Sequence, residues 1–176
     1  MKISVAAPAL TCGGLRENRV EEHNFLGPEG ASWAGSITMI SWPTVSIGTP
    51  YGIVTVTVEI AATPETIRYG LMHRDHLAWG AGMLFVMGAD RPWSFYMRNT
   101  RVPLDMIFIN RDRVVVGVIA NAVPFDETWR GVDVPSCYVL EVNAGWAAAH
   151  GVVAGSLVRF DGMEIGSRLG PAPLLR

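Results

Sequence analysis

The chain has 176 residues, of which 49% are hydrophobic and 17% charged, and its formal net charge is -2. This length suits one domain with attachments, and the composition excludes a chain that is disordered throughout. A net charge so close to zero argues against nucleic acid or an anionic membrane surface as a partner, and no run approaches the ~18 apolar residues of a membrane span.

The N-terminal part, residues 1–52, differs from the rest of the chain. It is rich in Gly, Pro and Ser, carries the mixed-charge run Arg16–Glu22, and has only short strand-like pieces at residues 36–41 and 45–47. We interpret it as an irregular extension that either wraps back over its own domain or acts as a docking arm, with apolar side chains such as Trp33 contacting a partner chain. Its first residues make a poor signal peptide, so the compartment stays undetermined.

The sequence has two cysteines, Cys12 and Cys137. Their spacing matches neither a zinc site nor a CxxC motif. Two cysteines allow one bridge, but we expect two unrelated thiols. Cys137 lies in an apolar strand pattern, so we predict a buried inert thiol and not a nucleophile activated by His150.

A regular pattern begins at Ile53, where apolar and polar residues alternate as far as Ile60 and predict a half-buried strand. Thr63 followed by Pro64 is typical of a helix start, and we predict a short helix that ends at about Gly70 or Met72. The apolar run Met83–Met87 is too short for a typical helix and predicts a buried strand.

The segment Trp93–Asp105 changes character halfway. Trp93, Phe95 and Met97 alternate with polar neighbours as in a strand, whereas Asn99 and Pro103 favour a turn. We therefore predict that residues 98–103 leave the sheet and present polar groups between two hydrophobic strands.

The later elements complete the prediction. Residues 106–109 and 114–119 predict a hairpin with a polar connection, residues 136–142 and 157–160 predict strands, and Asn143 and Gly151 are expected to cap a short helix over residues 144–149. Residues 162–176 are predicted to be a loose end or a docking peptide. The fold class that follows is a single α+β domain over residues 53–161, with a mainly antiparallel, strongly curled sheet or partly closed β-barrel and two short helices.

Several motifs together resemble the small prokaryotic family known as domain of unknown function 192, over roughly residues 54–160. They are RYGLMHR at 68–74, GMLF at 82–85, FYMRNT at 95–100, PLD at 103–105, Ala122 with Pro124, and YVLEVNAG at 138–145. The resemblance implies a compact, β-rich α+β domain, often found in exported proteins, without an established activity. Tyr69 stands where the family usually has an arginine, and Ser156 where its closing turn has an acid.

Four polar residues are the candidates for a ligand-binding site: Arg98, Asn99, Asp105 and Glu141. A guanidinium, an amide and carboxylates can bind a small polar molecule such as a sugar through charge-assisted hydrogen bonds. The alternative is that Asn99 and Asp105 satisfy turn backbone and that Arg98 pairs with a carboxylate.

Catalysis and metal binding have weaker support. Asp105 and Glu141 are the weak catalytic candidates, since glycoside hydrolysis needs two carboxyls held ~5 to 10 Å apart across a cleft. His73 and His76 are three residues apart, but the nearby methionines fit an apolar core, so we predict no metal and no cofactor.

The leading functional interpretation is a non-catalytic binding or assembly module. It has a shallow polar ligand site around Trp93–Asp105 and an N-terminal arm that contacts a protein partner or a second copy of the chain. The alternative is an enzyme acting on carbohydrate or cell-envelope polymers that uses Asp105 and a second carboxylate.

Overall fold

The computed structural model describes Cys12, Leu15–Arg16 and residues 42–165. The strand-like piece at residues 36–41, most of the mixed-charge run and the tail from residue 166 lie outside the described residues. Within the described part, no helix has the length and apolar character needed to cross a membrane.

Strands dominate the described chain. In order they are β1 (Leu15–Arg16), β2 (Thr44–Thr49), β3 (Gly52–Ala61), β4 (Ala81–Arg91), β5 (Ser94–Phe95), β6 (Leu104–Ile109), β7 (Val115–Ala122), β8 (Arg130–Gly131), β9 (Ser136–Asn143), β10 (Val158–Asp161) and β11 (Glu164–Ile165). The two helices are α1 (Pro64–Tyr69) and α2 (Trp146–His150). Because β2 belongs to the main sheet, the sheet begins before the predicted boundary at residue 53.

A seven-stranded sheet in the order β10-β2-β3-β4-β9-β6-β7 forms the body of the domain. Its neighbours are antiparallel except β3 and β4, which are parallel and joined by α1. The two ends of the sheet meet: the Val115 N–H donates to the Ser156 carbonyl at 2.9 Å, and the Val158 N–H donates to the Arg113 carbonyl at 2.8 Å. The α+β prediction of a strongly curled, partly closed sheet with two short helices is therefore confirmed.

The sheet separates two hydrophobic cores. Leu140 and Val142 of β9 pack into the first core, with Trp146 of α2. Val139 packs into the second core, with Phe85 of β4. Because β9 is buried on both faces, its alternating side chains point to one core or the other and not to solvent.

Helix α1 follows the sequence prediction. Thr63 is its N-cap and forms a capping box with Thr66, and Pro64 occupies the first turn, where its missing N–H costs nothing. The Gly70 N–H donates to the Thr66 carbonyl at 2.8 Å and ends the helix. The apolar side of α1 packs on the second core through Ile67.

Helix α2 starts later than predicted, and the assignment of Asn143 as its cap was wrong. Asn143 is the last residue of β9, and its side-chain amide donates to the carbonyls of Leu77 and Ala78, each at 3.0 Å. The N-cap position belongs to Gly145, which has a left-handed φ of 82° and makes no side-chain cap bond. Gly151 ends the helix, as predicted.

The expectation of two unrelated thiols was also wrong, because Cys12 and Cys137 form a disulfide. Their Cα atoms are 5.5 Å apart although 125 residues separate them in sequence. Beside the bridge, the Cys12 N–H donates to the Gly88 carbonyl at 3.1 Å. The bridge attaches the start of the chain to its own domain and removes Cys137 as a nucleophile.

Candidate functional site

Arg98 lies on the surface and is engaged by neighbouring side chains. Its guanidinium donates to the Glu127 carboxylate at 2.6 Å and lies over the Tyr96 ring, 5.2 Å from the centroid. The hydrogen bond raises the pKa of Arg98 and lowers that of Glu127. Both side chains are more than half exposed, so this ion pair contributes little to stability.

Asn99 shapes the turn that follows. Its φ of 53° is in the left-handed region, which asparagine tolerates better than most residues. Its carbonyl accepts a hydrogen bond of 2.8 Å from the His73 N–H, and the Thr100 N–H closes the turn on the Met97 carbonyl at 3.1 Å. The backbone of Asn99 therefore links this turn to the segment that follows α1.

Asp105 is completely buried, and each of its carboxylate oxygens accepts a backbone hydrogen bond. Oδ1 accepts from the Asn121 N–H at 2.8 Å, and Oδ2 accepts from the Ala147 N–H at 2.9 Å. Ala147 lies in the first turn of α2, whose own cap position supplies no side-chain acceptor. Asp105 thus caps α2 from a neighbouring strand, which satisfies one of the unpaired N–H groups at a helix start.

The strand register does not bring Asp105 and Glu141 together. Asp105 lies opposite Val142, and Met106 lies opposite Glu141. Residues directly opposite each other share a face, and successive residues alternate between faces. The two carboxyls therefore point to opposite sides of the sheet, and the four predicted site residues do not converge on one pocket.

Glu141 differs from the other three, because it is a buried acidic residue without a hydrogen-bond or ion-pair partner among the described residues. It is 5% exposed, and Met83 and Met106 lie opposite it on the adjacent strands. Its side chain makes no hydrogen bond or ion pair with residues of the described part of the chain. Burial disfavours the charged form and raises the pKa of Glu141 to about 8.

A cavity of about 250 Å³ lies on the same face of the sheet, and Glu141 is part of its wall. The segment after α1, with Leu71 and Met72, covers one side, and Phe85 of β4 lies on the sheet side. Residues 93–96 complete the wall. The cavity is therefore enclosed mainly by apolar and aromatic side chains, with one buried carboxyl among them.

The aromatic part of the wall is held in place by specific contacts. The Trp93 indole N–H lies 3.1 Å from the carbonyls of both Ala89 and Ser136. Phe95 packs edge-to-face against Phe85, with ring centroids 5.3 Å apart. Such contacts fix both the position and the orientation of aromatic side chains.

A larger depression of about 440 Å³ lies on the other side of Tyr69 and Gly70, which line both spaces. Two of its four charged groups pair with each other, because the Arg74 guanidinium donates to both carboxylate oxygens of Glu59, at 2.5 and 2.6 Å. The other two, Glu65 and Arg68, are exposed to solvent. Hydrogen bonding to Arg74 lowers the pKa of Glu59. The smaller cavity is the better candidate, because its carboxyl has no partner within the described residues.

The sequence analysis identified Glu141 as a candidate but grouped it with Asp105, which lies on the opposite face of the sheet, and with Arg98 and Asn99, which do not line the cavity. The available signal was an acidic residue within the apolar run of β9, which marks a buried charge once the strand is known to be central. No group of three or more His, Cys, Asp or Glu side chains in the described ranges is arranged to hold a metal ion.

Comparison with known proteins gives a family and two similar structures. The model of DUF192, described as Uncharacterized ACR, matches residues 46–160. A crystal structure from Sinorhizobium meliloti 1021, named a "putative transcription regulator", is 39% identical, with a TM-score of 0.66 over 68% of this chain and 94% of that chain. A protein of unknown function from Novosphingobium aromaticivorans is also 39% identical, with a TM-score of 0.64 over 66% and 83% of the two chains. No curated protein matches the chain.

Proposed function

The chain belongs to the DUF192 family, and we propose that this member is a non-catalytic binding module whose ligand occupies the cavity at Glu141. The ligand class is a small, mainly apolar molecule with one polar group. The observation that carries the proposal is the buried carboxyl of Glu141, which lines the cavity without a partner in the described chain.

Physical chemistry supports a ligand at this position. The Glu141 oxygens are not among the described buried side-chain atoms that lack a hydrogen-bond partner, so they reach the open space of the cavity. A ligand in the cavity can therefore contact this carboxyl directly. Small-molecule sites are typically apolar and aromatic with a few placed polar groups, and 250 Å³ lies just below their usual range of roughly 300 to 1,000 Å³.

This proposal relocates the shallow polar site that the sequence suggested around Trp93–Asp105. Arg98 is paired with Glu127, and Asp105 is enclosed beneath α2. The inner side of residues 93–96 remains part of the site, because it forms the aromatic wall of the cavity.

The test is a fragment screen monitored through backbone amide resonances of residues 67–72 and 93–96. Fragments that occupy the cavity should shift these resonances. Met87→Trp, which places a large side chain at the cavity wall, should abolish the shifts. The matched control Leu157→Trp adds the same ring at an exposed position outside the cavity and should leave the shifts unchanged. Shifts that survive Met87→Trp would argue against the proposal.

A protein partner for the N-terminal extension is the second part of the proposal. The disulfide at Cys12 holds one point of the extension on its own domain, and β1 pairs with β11 in the segment that follows the domain, so a deletion would also disturb these contacts. A milder test is Trp33→Ser in the full chain, measured by analytical ultracentrifugation and by recovery of a co-purified protein. Association that is unaffected by this substitution would count against a docking role for Trp33.

The alternative is an enzyme that acts on carbohydrate or cell-envelope polymers. One observation favours it: a carboxyl with a pKa of about 8 is suited to general acid–base chemistry near neutral pH. Asp105 lies on the opposite face of the sheet, so the second carboxylate would have to come from elsewhere. Full activity of Glu141→Gln on an identified substrate would remove this alternative.

A further inference from the structure

The surroundings of Glu141 restrict the kind of polar group that a ligand can offer. Its cross-strand neighbours Met83 and Met106 are apolar. The other ionisable side chains on the cavity wall are Arg68, Tyr69 and Tyr96, and none of them is hydrogen-bonded to Glu141. At pH 7 the carboxyl is mostly protonated and can donate as well as accept a hydrogen bond. Once ionised, it is an anion with neither a hydrogen-bond donor nor a counter-ion in the described chain.

A positively charged ligand uses this carboxyl better than a neutral one. A protonated amine can donate a charge-assisted hydrogen bond, which is roughly twice as strong as a neutral one. A quaternary ammonium group has no N–H and offers its positive charge alone. Ionising Glu141 at pH 7 lowers the affinity by about tenfold, since its pKa is about 8 and each pH unit corresponds to a factor of ten. Attraction between opposite charges in a partly desolvated cavity exceeds this modest cost.

The competing charges are Arg68 on the surface of α1 and two guanidinium groups over rings of the wall. Arg91 lies 3.7 Å from the Trp93 centroid, and Arg98 lies 5.2 Å from the Tyr96 centroid. All three side chains are exposed, so solvent and salt screen their charges. Glu141 is buried and screened much less. The inner end of the cavity therefore favours a cation even though guanidinium groups lie at its outer part.

We propose that the ligand is an organic cation, an amine or quaternary ammonium compound, with its positive group against Glu141 and its apolar part against Phe85, Trp93 and Phe95. This inference rests on the proposed function of the cavity as a binding site. It goes beyond that function by assigning the charge of the ligand.

Three probes of similar size and different charge test the inference: benzyltrimethylammonium, benzyl alcohol and benzoate. Binding to the full chain is measured by calorimetry and by amide shifts of residues 67–72 and 93–96. The quaternary cation does not titrate, so any pH dependence comes from the protein. At pH 8.5 the cation should bind at least tenfold more tightly than the alcohol or benzoate.

The pH dependence of cation binding to the wild-type chain identifies the group that binds the cation, and this measurement requires no variant. Affinity for benzyltrimethylammonium should rise about tenfold per pH unit from pH 6 to about 7.5 and level off above pH 8, as Glu141 becomes ionised. Affinity for benzyl alcohol should not rise over this range. In Glu141→Gln the rise for the cation should disappear.

The possible failures are distinguishable. Binding of benzyl alcohol or benzoate in the cavity as tightly as the cation overturns the inference about charge and leaves the cavity as a binding site. A cation affinity that is flat with pH in the wild-type chain overturns the role of Glu141. If none of the probes and none of the screened fragments shifts the cavity resonances, both this inference and the proposed function are overturned.

Discussion

At Glu141 a carboxyl group is enclosed by apolar neighbours, and its titration is linked to folding. The folded state holds the proton up to a pKa of about 8, whereas an ordinary glutamate releases it near 4.5. Between these two values the folded state binds more protons than the unfolded state, so stability falls as the pH rises. Below the lower value Glu141 is neutral in both states and its burial costs least.

The expected result is a pH-dependent difference between the wild-type chain and Glu141→Gln. From pH 5 to 8 the wild-type free energy of unfolding should decline relative to the variant by up to about 1.4 kcal/mol per pH unit, as one proton is involved. Urea denaturation at pH 5, 6, 7 and 8 measures this difference.

Glu127→Gln provides the contrasting control. The hydrogen bond from Arg98 lowers the pKa of Glu127 below the ordinary glutamate value of 4.5. The ion pair therefore stabilises the fold at any pH above 4.5, and this stabilisation is lost only as the pH falls through the lowered pKa. Its difference from the wild-type chain should be constant from pH 5 to 8. A constant difference for Glu141→Gln as well would contradict the buried, unpaired carboxyl.

Asp105 has the opposite character, because both of its carboxylate oxygens accept hydrogen bonds inside the fold. In Asp105→Ala the N–H groups of Asn121 and Ala147 lose their acceptor, and each buried unsatisfied group costs roughly 1 to 3 kcal/mol. The free energy of unfolding should fall by about 2 to 5 kcal/mol in urea denaturation. The exposed Asp112→Ala should change it by less than about 0.5 kcal/mol. A mild effect of Asp105→Ala would mean that the capping bonds contribute little.

Strand β9 is the element on which the candidate site depends. It lies between β4 and β6 and carries side chains into both cores. Its close contact with β4 requires a glycine at position 82, where an added Cβ would lie 2.5 Å from the Glu141 carbonyl oxygen. The close approach of the two backbones fixes the position of β9, and therefore of Glu141, relative to β4.

Gly82→Ala tests this close approach. The new methyl group must push β4 and β9 apart or distort the ladder, and overpacking of this kind costs roughly 1 to 3 kcal/mol. Gly80→Ala is the matched control, because a Cβ at Gly80 meets no atom within 4 Å. Thermal unfolding should show a lower midpoint for Gly82→Ala and nearly the wild-type midpoint for Gly80→Ala. Equal midpoints would show that the strands adjust without cost.

Local patterns in the sequence predicted most of these elements. Thr63-Pro64 identified the start of α1, and alternation identified β3 and β9, because capping and strand periodicity depend on neighbouring residues only. The cap of α2 was missed because the acceptor, Asp105, comes from another strand. Strand order and register determine that Glu141 and the cavity lie on the same face of the sheet. Local sequence patterns do not predict either of these.

At the scale of the whole molecule, the two ends of the sheet meet beside β10, and the chain start is bridged to β9. Both features join residues that are distant in sequence. The predicted strands and short helices supplied the fold class, and the resemblance to a family agreed with it, but the spacing of two cysteines does not predict whether they meet in space. The disulfide is therefore the clearest case in which folding determines the chemistry of a residue.

The disulfide should contribute substantially to the stability of the whole molecule. A cross-link that spans 125 residues restricts the unfolded chain, and the entropy model assigns about 5 kcal/mol to a loop of roughly that length. Reduction should lower the urea midpoint of the wild-type chain. The double variant Cys12→Ser/Cys137→Ser should unfold at a lower urea concentration than the wild-type chain and should not respond to the reductant.

Thiol labelling of the unfolded, unreduced chain checks the bridge directly and should find no free thiol, since the described cysteines are paired with each other. Because such bridges persist in oxidising compartments and are rare in the cytosol, we expect material from an oxidising compartment to carry the bridge fully formed. Material from a reducing cytoplasm should label at both cysteines until it is oxidised, and oxidation should then raise its urea midpoint to that of the bridged chain. Two reactive thiols in material from an oxidising compartment would mean that the bridge does not form there and that the start of the chain is held by weaker contacts alone.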